Sequence, residues 1–502
     1  DLWWIEYGGR LDTVHDTEQI KWELWKVVYG VWDYIKNSGD FPDAENLTLE
    51  WVGQVPGKRE SRRFEGPYML TQNDIIEQRH FDDAVSFGGW SIDLHPADGV
   101  FSERPGCNQW HAKGVYGIPY RCLYSRNIAN LFLAGRIISA SHVAFGSTRV
   151  MATCANSAQA VAMAAVQGCD PAAVDVPRLQ RDLMRAGQYI PGFALDDDED
   201  LAGEASITAS SRLKLAALPA GGEAAPLNVA RAQMLPLPAG KPPAITLTLD
   251  VRQTTTVQAE LRTCSRLGSF TPDTTLATCL VELPEGEGQT VRLEFQAELD
   301  APQYAFVCLM EDDHASVRTT DQRLTGVLSM RRTRPQVPDG EIGVEEFEMW
   351  PPERRPNGRN FALQLDPPLD AFAPANVAGG VARPTTSPNA WIADFDDARP
   401  TLTLAWGEPR TIRRIELAFD SDLDHPVESV LMGHPERAMP FCVRHYRITS
   451  AAGDVLHESP ANHQTRNVVE LDRAVETRQL SIEVLAVHGD CPAAIFEVRC
   501  YA

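Results

Sequence analysis

The sequence predicts an α/β region followed by two all-β domains of the sandwich type. Residues 130–166 contain a short apolar run, a glycine turn, a loop and an Ala-rich helical pattern, which together are typical of an αβ unit. From Ile245 the chain changes to short alternating segments without amphipathic helices between them, as β-sandwiches require. Two stretches rich in proline or acidic residues are predicted as linkers. The predicted segments are the α/β region 1–195, a linker 196–244, a sandwich 245–349, a linker 350–379 and a sandwich 380–502.

Composition limits the partners that the chain suits. Its 502 residues carry 46 Lys and Arg against 69 Asp and Glu, and the net charge of −23 disfavours nucleic acid or an anionic membrane as the main partner. No apolar run approaches the ~20 residues that a membrane-spanning helix needs. We therefore expect a protein of about three domains that has no membrane span and accepts a neutral or cationic ligand more easily than an anionic one.

The cysteine pattern argues against a metal centre. The ten cysteines include no CxxC pair and no Cys/His cluster, so neither a zinc site nor an iron–sulfur site is expected. Cys264 with Cys279, and Cys491 with Cys500, are spaced so that hairpins would bring them together. Buried free thiols are the preferred interpretation. The cysteine pattern is compatible with either an oxidising or a reducing compartment.

A helix is predicted from residue 16 or 17 to about residue 37. Its aromatic residues recur at helical spacing, and we interpret them as a packed face of a helix buried on more than one side: Trp22, Trp25, Tyr29 and Trp32. Stacking on a sugar is the alternative interpretation. After a break at Phe41 and Pro42, residues 47–52 alternate as a strand would.

Four basic residues crowd into one loop or helix start of an otherwise acidic chain: Lys58, Arg59, Arg62 and Arg63. Guanidinium groups bind carboxylates and phosphates in bidentate geometry, so contact with an acidic substrate or a pyrophosphate is one interpretation. Neutralisation by Glu60 and Glu65 at the surface is the other.

A second short loop offers an aromatic ring, an acid and an imidazole. In FGGWSIDLHP the paired glycines let the backbone pass close to another surface, and the candidates that follow are Trp90, Asp93 and His95. Polar groups that serve only the local structure are the alternative interpretation.

The αβ unit carries the third group of candidates. Residues 131–134 are predicted as a buried parallel strand that ends at Gly135 and Arg136. Gly146, Ser147 and Thr148 are predicted to precede the following helix, where free N–H groups and the helix dipole favour an anion. Arg149 is expected in the first turn of that helix.

His142 lies between the predicted strand and helix, together with Ser139 and Ser141. A general base needs a pKa near the working pH, and histidine suits this task because its unperturbed pKa is about 6.5. His142 is therefore the candidate general base. The alternative is that its imidazole only hydrogen-bonds the turn.

Four longer stretches resemble the FAD-dependent oxidoreductase family that is found beside polysaccharide-degrading systems and includes members with a xanthan-lyase-like label. They are WWIEYGGRLDT (3–13), PGKRESRRFEGPYMLTQNDI (56–75), FGGWSIDLHP (87–96) and GIPYRCLYSRNIANLFLAGR (117–136), in the family's order. The resemblance continues to about residue 170 and implies the C-terminal part of a two-segment FAD-binding fold. It also implies FAD as cofactor and dehydrogenation of a carbohydrate or related alcohol by hydride transfer to flavin.

The resemblance implies roles for the candidate residues. The catalytic group comprises the base, an alternative base and a cation that stabilises the reduced flavin: His142, His95 and Arg149. The residues expected to contact the cofactor are Gly135, Arg136, Ser139, Gly146, Ser147 and Thr148. Those expected to bind substrate are Arg59, Arg62, Arg63, Trp90 and Asp93.

The resemblance begins part-way through the family's pattern. No Gly-x-Gly-x-x-Gly turn follows an apolar strand in this chain, so the βαβ unit that grips FAD is expected in an upstream segment. We expect the chain to be inactive and colourless by itself. A periplasmic or secreted location is implied by the resemblance alone.

The last β region resembles a discoidin-like, galactose-binding-like module through NAWIADF (389–395), a β run ending at Trp406, and RRIELAFD (413–420). The resemblance implies glycan contacts from tip loops, with these candidates: Trp391, His425, His434 and Arg437. A core tryptophan and exposed loop residues are the alternative interpretation.

Two other functions fit the same sequence. One is a non-catalytic glycan-binding fragment, and the other is the polysaccharide lyase suggested by the label of some family members. A lyase needs a base and a charge-neutralising group but no flavin. Flavin absorbance therefore separates the oxidoreductase from both.

Overall fold

A computed structural model describes residues 5–110, 112–266, 269–333, 348–353, 359–421 and 438–502. These residues form two compact units. The first contains the described residues up to 112 and residues 116–180, and the second contains residues 113–115 and the described residues from 181 onward.

The helices of the described residues are α1 (Thr17–Asn37), α2 (Gln72–Ile76), α3 (His142–Thr148), α4 (Met151–Gln167) and α5 (Val176–Arg185). Four short strands lie among them: β1 (Ala84–Gly88), β2 (Ile92–Leu94), β3 (Asn108–Trp110) and β4 (Tyr116–Pro119). β1 pairs antiparallel with β4, and β2 pairs antiparallel with β3. α4 packs on β1 and α3 packs on β2, so the polar residues of α3 lie beside the end of β2.

Helix α1 has the predicted bounds, but its aromatic face is not buried as predicted. Ile20 is the buried residue of this helix, whereas Trp22 is 53% exposed and Tyr29 is 52% exposed. The rings contact each other along the helix, with centroid distances of 5.2 Å from Trp22 to Trp25 and 6.4 Å from Trp25 to Tyr29. Helical spacing places rings on one face without specifying what covers that face. Residues 47–52, all of them described, form no strand.

The predicted central strand at residues 131–134 is wrong. Phe132 forms an isolated antiparallel bridge with Tyr124, and Leu133 is buried without joining a sheet. Gly135, with a φ of +71°, starts a 3₁₀ turn over Gly135–Ile137. A parallel strand needs parallel neighbours, and the pairs recorded between strands of the described residues are antiparallel. An apolar run alone cannot reveal whether such neighbours exist.

The second unit is built from antiparallel strands, as predicted. They are β5 (Ser206–Ala209), β6 (Leu215–Leu218), β7 (Ala225–Pro226), β8 (Arg231–Leu237), β9 (Ala244–Val251), β10 (Thr255–Thr263), β11 (Thr274–Leu283), β12 (Gly286–Leu293), β13 (Gln303–Leu309), β14 (Ala315–Val317), β15 (Leu328–Arg331), β16 (Leu363–Leu369), β17 (Trp391–Ile392), β18 (Thr401–Ala418), β19 (Val443–Ser450), β20 (Val455–Ser459), β21 (Arg466–Val487), β22 (Ala494–Ile495) and β23 (Glu497–Tyr501).

These strands form three main sheets. One has the order β11-β10-β13-β8-β15, and a second has the order β6-β16-β9-β14-β7 with β12 added on β9. Both sheets contribute to one apolar core, in which Leu247 of β9 and Leu261 of β10 are fully buried. The third sheet, β20-β19-β21-β18-β23 with β5 on β18, has a core of its own. The all-β part of the predicted fold class is thereby confirmed.

The two predicted linkers are paired structure instead. Strands β5 to β8 lie inside residues 196–244, and β16 lies inside residues 350–379. Leu215 and Leu218 of β6 are buried against the sheet formed with β16. The proline and acidic residues of these stretches suggested linkers, but prolines are also tolerated at the edges and interruptions of strands.

Trp391 belongs to a core. It is completely buried, and its Nε1 donates a hydrogen bond of 2.9 Å to the carbonyl oxygen of Ser211. A glycan cannot stack on a ring without access to solvent, so the core interpretation of Trp391 holds. The other three glycan candidates, His425, His434 and Arg437, lie outside the described residues.

The structure adds three observations on membranes, thiols and metals. No described helix combines the length and apolar character needed to cross a bilayer. The ten cysteines are free thiols. In the part of the chain that the structure describes, no cluster of three His, Cys, Asp or Glu side chains is placed to hold a metal ion.

Candidate active site

A cleft of about 780 Å³ opens in the first unit. Five segments wall it: residues 5–9, residues 11–13 with helix α1, residues 56–63, the end of β2 with residues 93–97, and helix α3 with Arg149. Seven of the candidates named from the sequence line it: Arg59, Arg63, Asp93, His95, His142, Gly146 and Arg149. Segments far apart in the chain thus bring most of the predicted catalytic residues together.

An ion-pair network crosses this cleft. The Nδ1 atom of His95 lies 2.9 Å from Oε2 of Glu6, and its Nε2 atom lies 3.4 Å from Oδ2 of Asp93. Arg59 donates to Glu6, and Nη2 of Arg149 donates to Oδ2 of Asp93 at 2.9 Å. An imidazole held between two carboxylates is flanked in turn by two guanidinium groups.

The network shifts the pKa values of its members. Burial disfavours the charged form of His95, but hydrogen bonds and attraction to Asp93 and Glu6 prevail and raise its pKa above the usual range. Burial opposes the charge on Glu6 and Asp93 as well, yet the contacts to His95 and the nearby arginines hold the pKa of each carboxyl group below its usual range. The two carboxylates therefore favour the protonated form of His95, and His95 in turn favours their ionised form.

We predict that this network gives the free energy of unfolding a pH optimum. The pKa values of Glu6 and Asp93 are lowered, so their contribution is present above their unfolded values of about 4.5 and 3.8 and is lost as the pH falls through the folded values. The pKa of His95 is raised, so its contribution is present below about 6.5 and is lost as the pH rises through the folded value. Urea unfolding at a series of pH values measures both the acidic and the alkaline decrease in the free energy of unfolding.

The variant His95→Gln isolates the contribution of His95 to the alkaline decrease in the free energy of unfolding. It should abolish the part of the alkaline decrease that comes from the cleft and leave the contribution of distant groups unaffected. An identical alkaline slope in the variant and the parent would assign the decrease to other groups.

A second pair lies at the rim of the cleft. His142 is the first residue of α3, and Ser141 caps this helix by accepting a hydrogen bond of 3.1 Å from the N–H of Ala144. Nδ1 of His142 lies 2.7 Å from Oε2 of Glu60, whose other oxygen pairs with Nε of Arg63 at 3.0 Å. A carboxylate at Nδ1 favours the tautomer in which Nε2 is the proton acceptor. This is the arrangement that a general base needs.

The candidates that follow His142 precede the Ala-rich helix α4, as predicted, but they belong to a helix of their own instead of a loop. Gly146, Ser147 and Thr148 form the last turn of α3, and Arg149 is its C-cap residue. The predicted anion site at their N–H groups is therefore wrong, whereas a cation at this end complements the helix dipole. Gly146 has another role, because an added Cβ would lie 2.9 Å from the carbonyl oxygen of Asp93. It lets α3 approach β2 closely.

The remaining candidates do not line the cleft. Ser147 joins α3 to the rest of the unit, since its hydroxyl contacts the carbonyl of Trp90 at 2.5 Å and the hydroxyl of Tyr116 at 2.6 Å. Arg136 donates to the carbonyl oxygen of Lys58 at 2.8 Å. The others lie elsewhere in the unit: Arg62 exposed, Gly135 in its turn, and Ser139 and Thr148 buried.

The residue that the sequence interpretation missed is Glu6. It binds both His95 and Arg59 and so ties the N-terminal segment to the rest of the cleft. Its only signal is that it stands as a single carboxylate between Ile5 and Tyr7 in an otherwise aromatic and apolar stretch. Its partner His95 is distant in sequence, so no spacing rule connects the two.

Comparison with known proteins gives two results. Residues 1–183 match the family model described as FAD dependent oxidoreductase, in agreement with the resemblance noted above. No curated protein matches the chain.

Solved structures of carbohydrate-binding modules resemble part of the chain. The family 32 module of Streptococcus pneumoniae EndoD is 13% identical, and the alignment covers 26% of this chain and 87% of that chain with a TM-score of 0.21. The chitosan-binding module 1 of a chitosanase/glucanase from Paenibacillus sp. IK-5 is 11% identical, with coverages of 27% and 88% and a TM-score of 0.20. The family 32 module of Clostridium perfringens NanJ, solved in complex with galactose, is 18% identical, with coverages of 26% and 88% and a TM-score of 0.20.

Proposed function

We propose that this chain, whose residues 1–183 match the FAD dependent oxidoreductase family, oxidises an alcohol group of a carbohydrate or a related small molecule. The observation that carries this proposal is the cleft in which an oriented histidine, a second histidine paired with two carboxylates, and two arginines converge inside the matched region. Such a convergence of perturbed titratable groups is typical of active sites.

The cleft suits part of an anionic cofactor. Its lining carries four cations, Lys58, Arg59, Arg63 and Arg149, against three carboxylates. With His95 protonated as well, the lining has an excess of two positive charges in a chain whose net charge is −23. Gly57, which also lines the cleft, has nothing within 4 Å of the position of an added Cβ, so the backbone is open to a ligand there. Lys58, Arg59 and Arg63 are the residues that would hold the diphosphate of FAD.

The chain's own residues supply proton transfer and charge stabilisation. FAD bound in the cleft would accept the hydride that leaves the alcohol carbon. His142, oriented by Glu60, takes the proton of the hydroxyl group. His95 is the weaker candidate for this role, because Glu6 and Asp93 raise its pKa and so favour the form that already carries the proton. Together with Arg149 it would stabilise negative charge that develops in the cleft.

We further propose that the chain needs an additional dinucleotide-binding segment to retain FAD. The adenosine half of FAD is usually held by a Gly-rich turn within a parallel βαβ unit. The named strands of the described residues pair antiparallel, and the sequence contains no Gly-x-Gly-x-x-Gly turn after an apolar strand. The cleft would then contact only the flavin side and the diphosphate.

The absorbance of flavin tests this proposal. The 502-residue chain purified alone should be colourless, and it should gain a flavin spectrum when an FAD-binding segment is supplied in cis or in trans. Adding a panel of alcohols and sugars to the flavin-loaded protein should then bleach that spectrum. Stoichiometric flavin on the chain alone would refute the need for another segment, and a loaded protein that no alcohol bleaches would refute the oxidase or dehydrogenase function.

A further inference from the structure

A second cleft, of about 760 Å³, adjoins the candidate active site within the first unit. Residues 94–97 line both clefts and so form the partition between them. His142 also lines both. The candidate base and His95 of the partition thus face two compartments of similar size.

Close backbone contacts hold this partition against the N-terminal segment. A Cβ added to Gly9 would lie 2.7 Å from the carbonyl oxygen of Ala97, a distance that real side chains do not reach. Gly99, with a φ of +56°, approaches the carbonyl of Glu6 too closely to allow any side chain. The N–H of Val100 donates to the same carbonyl at 2.9 Å. The partition is therefore a fixed wall of the site.

The two compartments differ in charge. The first carries an excess of two positive charges when His95 is protonated. In the second compartment two arginines, Arg10 and Arg104, balance two carboxylates, Asp98 and Glu103. The shared His95 also lines it, but this imidazole is already paired with Glu6 and Asp93. Arg10 and Asp98 neutralise each other through a two-pronged contact in which Nη2 lies 2.8 Å from Oδ2. An anionic ligand gains no net attraction from this compartment.

The other lining residues of the second compartment suit a polyhydroxylated molecule. Phe101 is 65% exposed and offers an apolar ring, and it contacts Tyr7 edge to face at a centroid distance of 6.0 Å. Ser102 and Asn108 supply hydroxyl and amide groups that both donate and accept hydrogen bonds. An aromatic ring beside neutral hydrogen-bonding groups matches the alternating apolar and hydroxyl-bearing surfaces of a sugar.

We propose that the second compartment is the substrate chamber and that it takes a neutral sugar or sugar alcohol, while the first compartment takes the anionic cofactor. This inference rests on the proposed function. A hydroxyl group at the boundary would meet His142, which lines both compartments. Because the second compartment offers no excess positive charge to a carboxylate, we expect it to bind neutral sugars better than sugar acids.

The variant Asn108→Trp tests the chamber, because it fills the second compartment from β3. The matched control is Gln109→Trp on the same strand, since neighbouring side chains of a strand point to opposite faces and Gln109 lines neither compartment. In the flavin-loaded protein, Asn108→Trp should raise the KM for a neutral sugar about tenfold or more with unchanged flavin content, and Gln109→Trp should not. The parent should prefer D-glucose and D-galactose to D-glucuronate and D-galacturonate.

Direct binding separates the failure of this inference from the failure of the proposed function. Calorimetry with the same four sugars on the flavin-free chain should show weak binding of a neutral sugar that Asn108→Trp abolishes. If the parent binds sugar in this way but never reduces flavin, the chamber stands and the oxidation is refuted. If the parent reduces flavin while Asn108→Trp keeps the parental KM, or if sugar acids bind better than neutral sugars, the chamber assignment is refuted. Absence of both binding and oxidation with all four sugars also refutes it.

Discussion

Replacing His142 by alanine in the flavin-loaded protein should slow substrate-dependent flavin reduction by about 10² to 10⁴-fold, the usual contribution of a general base. The flavin content should change little, because the cations that would hold the diphosphate lie on the segment 56–63. Stopped-flow absorbance measures the rate. Glu60→Gln should give a smaller decrease, because it removes the charge that orients the imidazole without removing the imidazole itself.

His15 provides a matched control for this experiment. Its Nδ1 atom lies 2.7 Å from a carboxylate oxygen of Asp12, the same distance that separates His142 from Glu60, but it does not line the cleft. His15→Ala should leave the rate of flavin reduction unchanged. A parental rate in His142→Ala would remove His142 from the role of base, and His95 would be tested next.

Replacing Trp391 by alanine should lower the free energy of unfolding of the second unit by about 3 to 5 kcal/mol. The ring is completely buried in the core beneath the third sheet, so its removal leaves a cavity that the surrounding strands cannot close. The change also leaves the carbonyl oxygen of Ser211 without the hydrogen bond that Nε1 donates. Urea unfolding, followed by circular dichroism in the β region, measures the loss.

An exposed residue of the same unit serves as the control. Leu280 on β11 is 68% exposed, and Leu280→Ala should change the free energy of unfolding by less than about 0.5 kcal/mol. A small loss for Trp391→Ala, combined with lost affinity for a glycan, would contradict the core assignment and restore Trp391 as a binding residue.

Local pattern was sufficient for many elements of this protein. The bounds of α1 followed from its helical spacing, and strands such as β9 and β10 followed from strict alternation. The basic cluster at residues 58–63 and the pair Asp93 and His95 were also recognisable, because each is a short run of residues that are unusual for their surroundings. In these cases the physical cause is contained within a few neighbouring residues.

Other features depended on partners that are distant in sequence. Whether the apolar residues 131–134 form a strand depends on neighbouring strands, and whether the aromatic face of α1 is buried depends on what packs on it. The same holds for β6 and β16. Each lies in a stretch rich in proline or acidic residues, which is typical of a linker, and only their pairing makes them strands. Propensity describes a segment, whereas pairing and burial are properties of two segments.

The candidate active site shows the same contrast between features set by local sequence and features set by distant partners. The sequence by itself determined which residue types carry the chemistry, because an imidazole, a carboxylate or a guanidinium group keeps its character wherever the chain places it. Only the tertiary structure decided that Glu6 would meet His95, that Arg149 would end α3 instead of starting a helix, and that His142 would face two compartments. These contacts join segments separated by many residues, and their free energy comes from packing the whole unit, which no local pattern encodes.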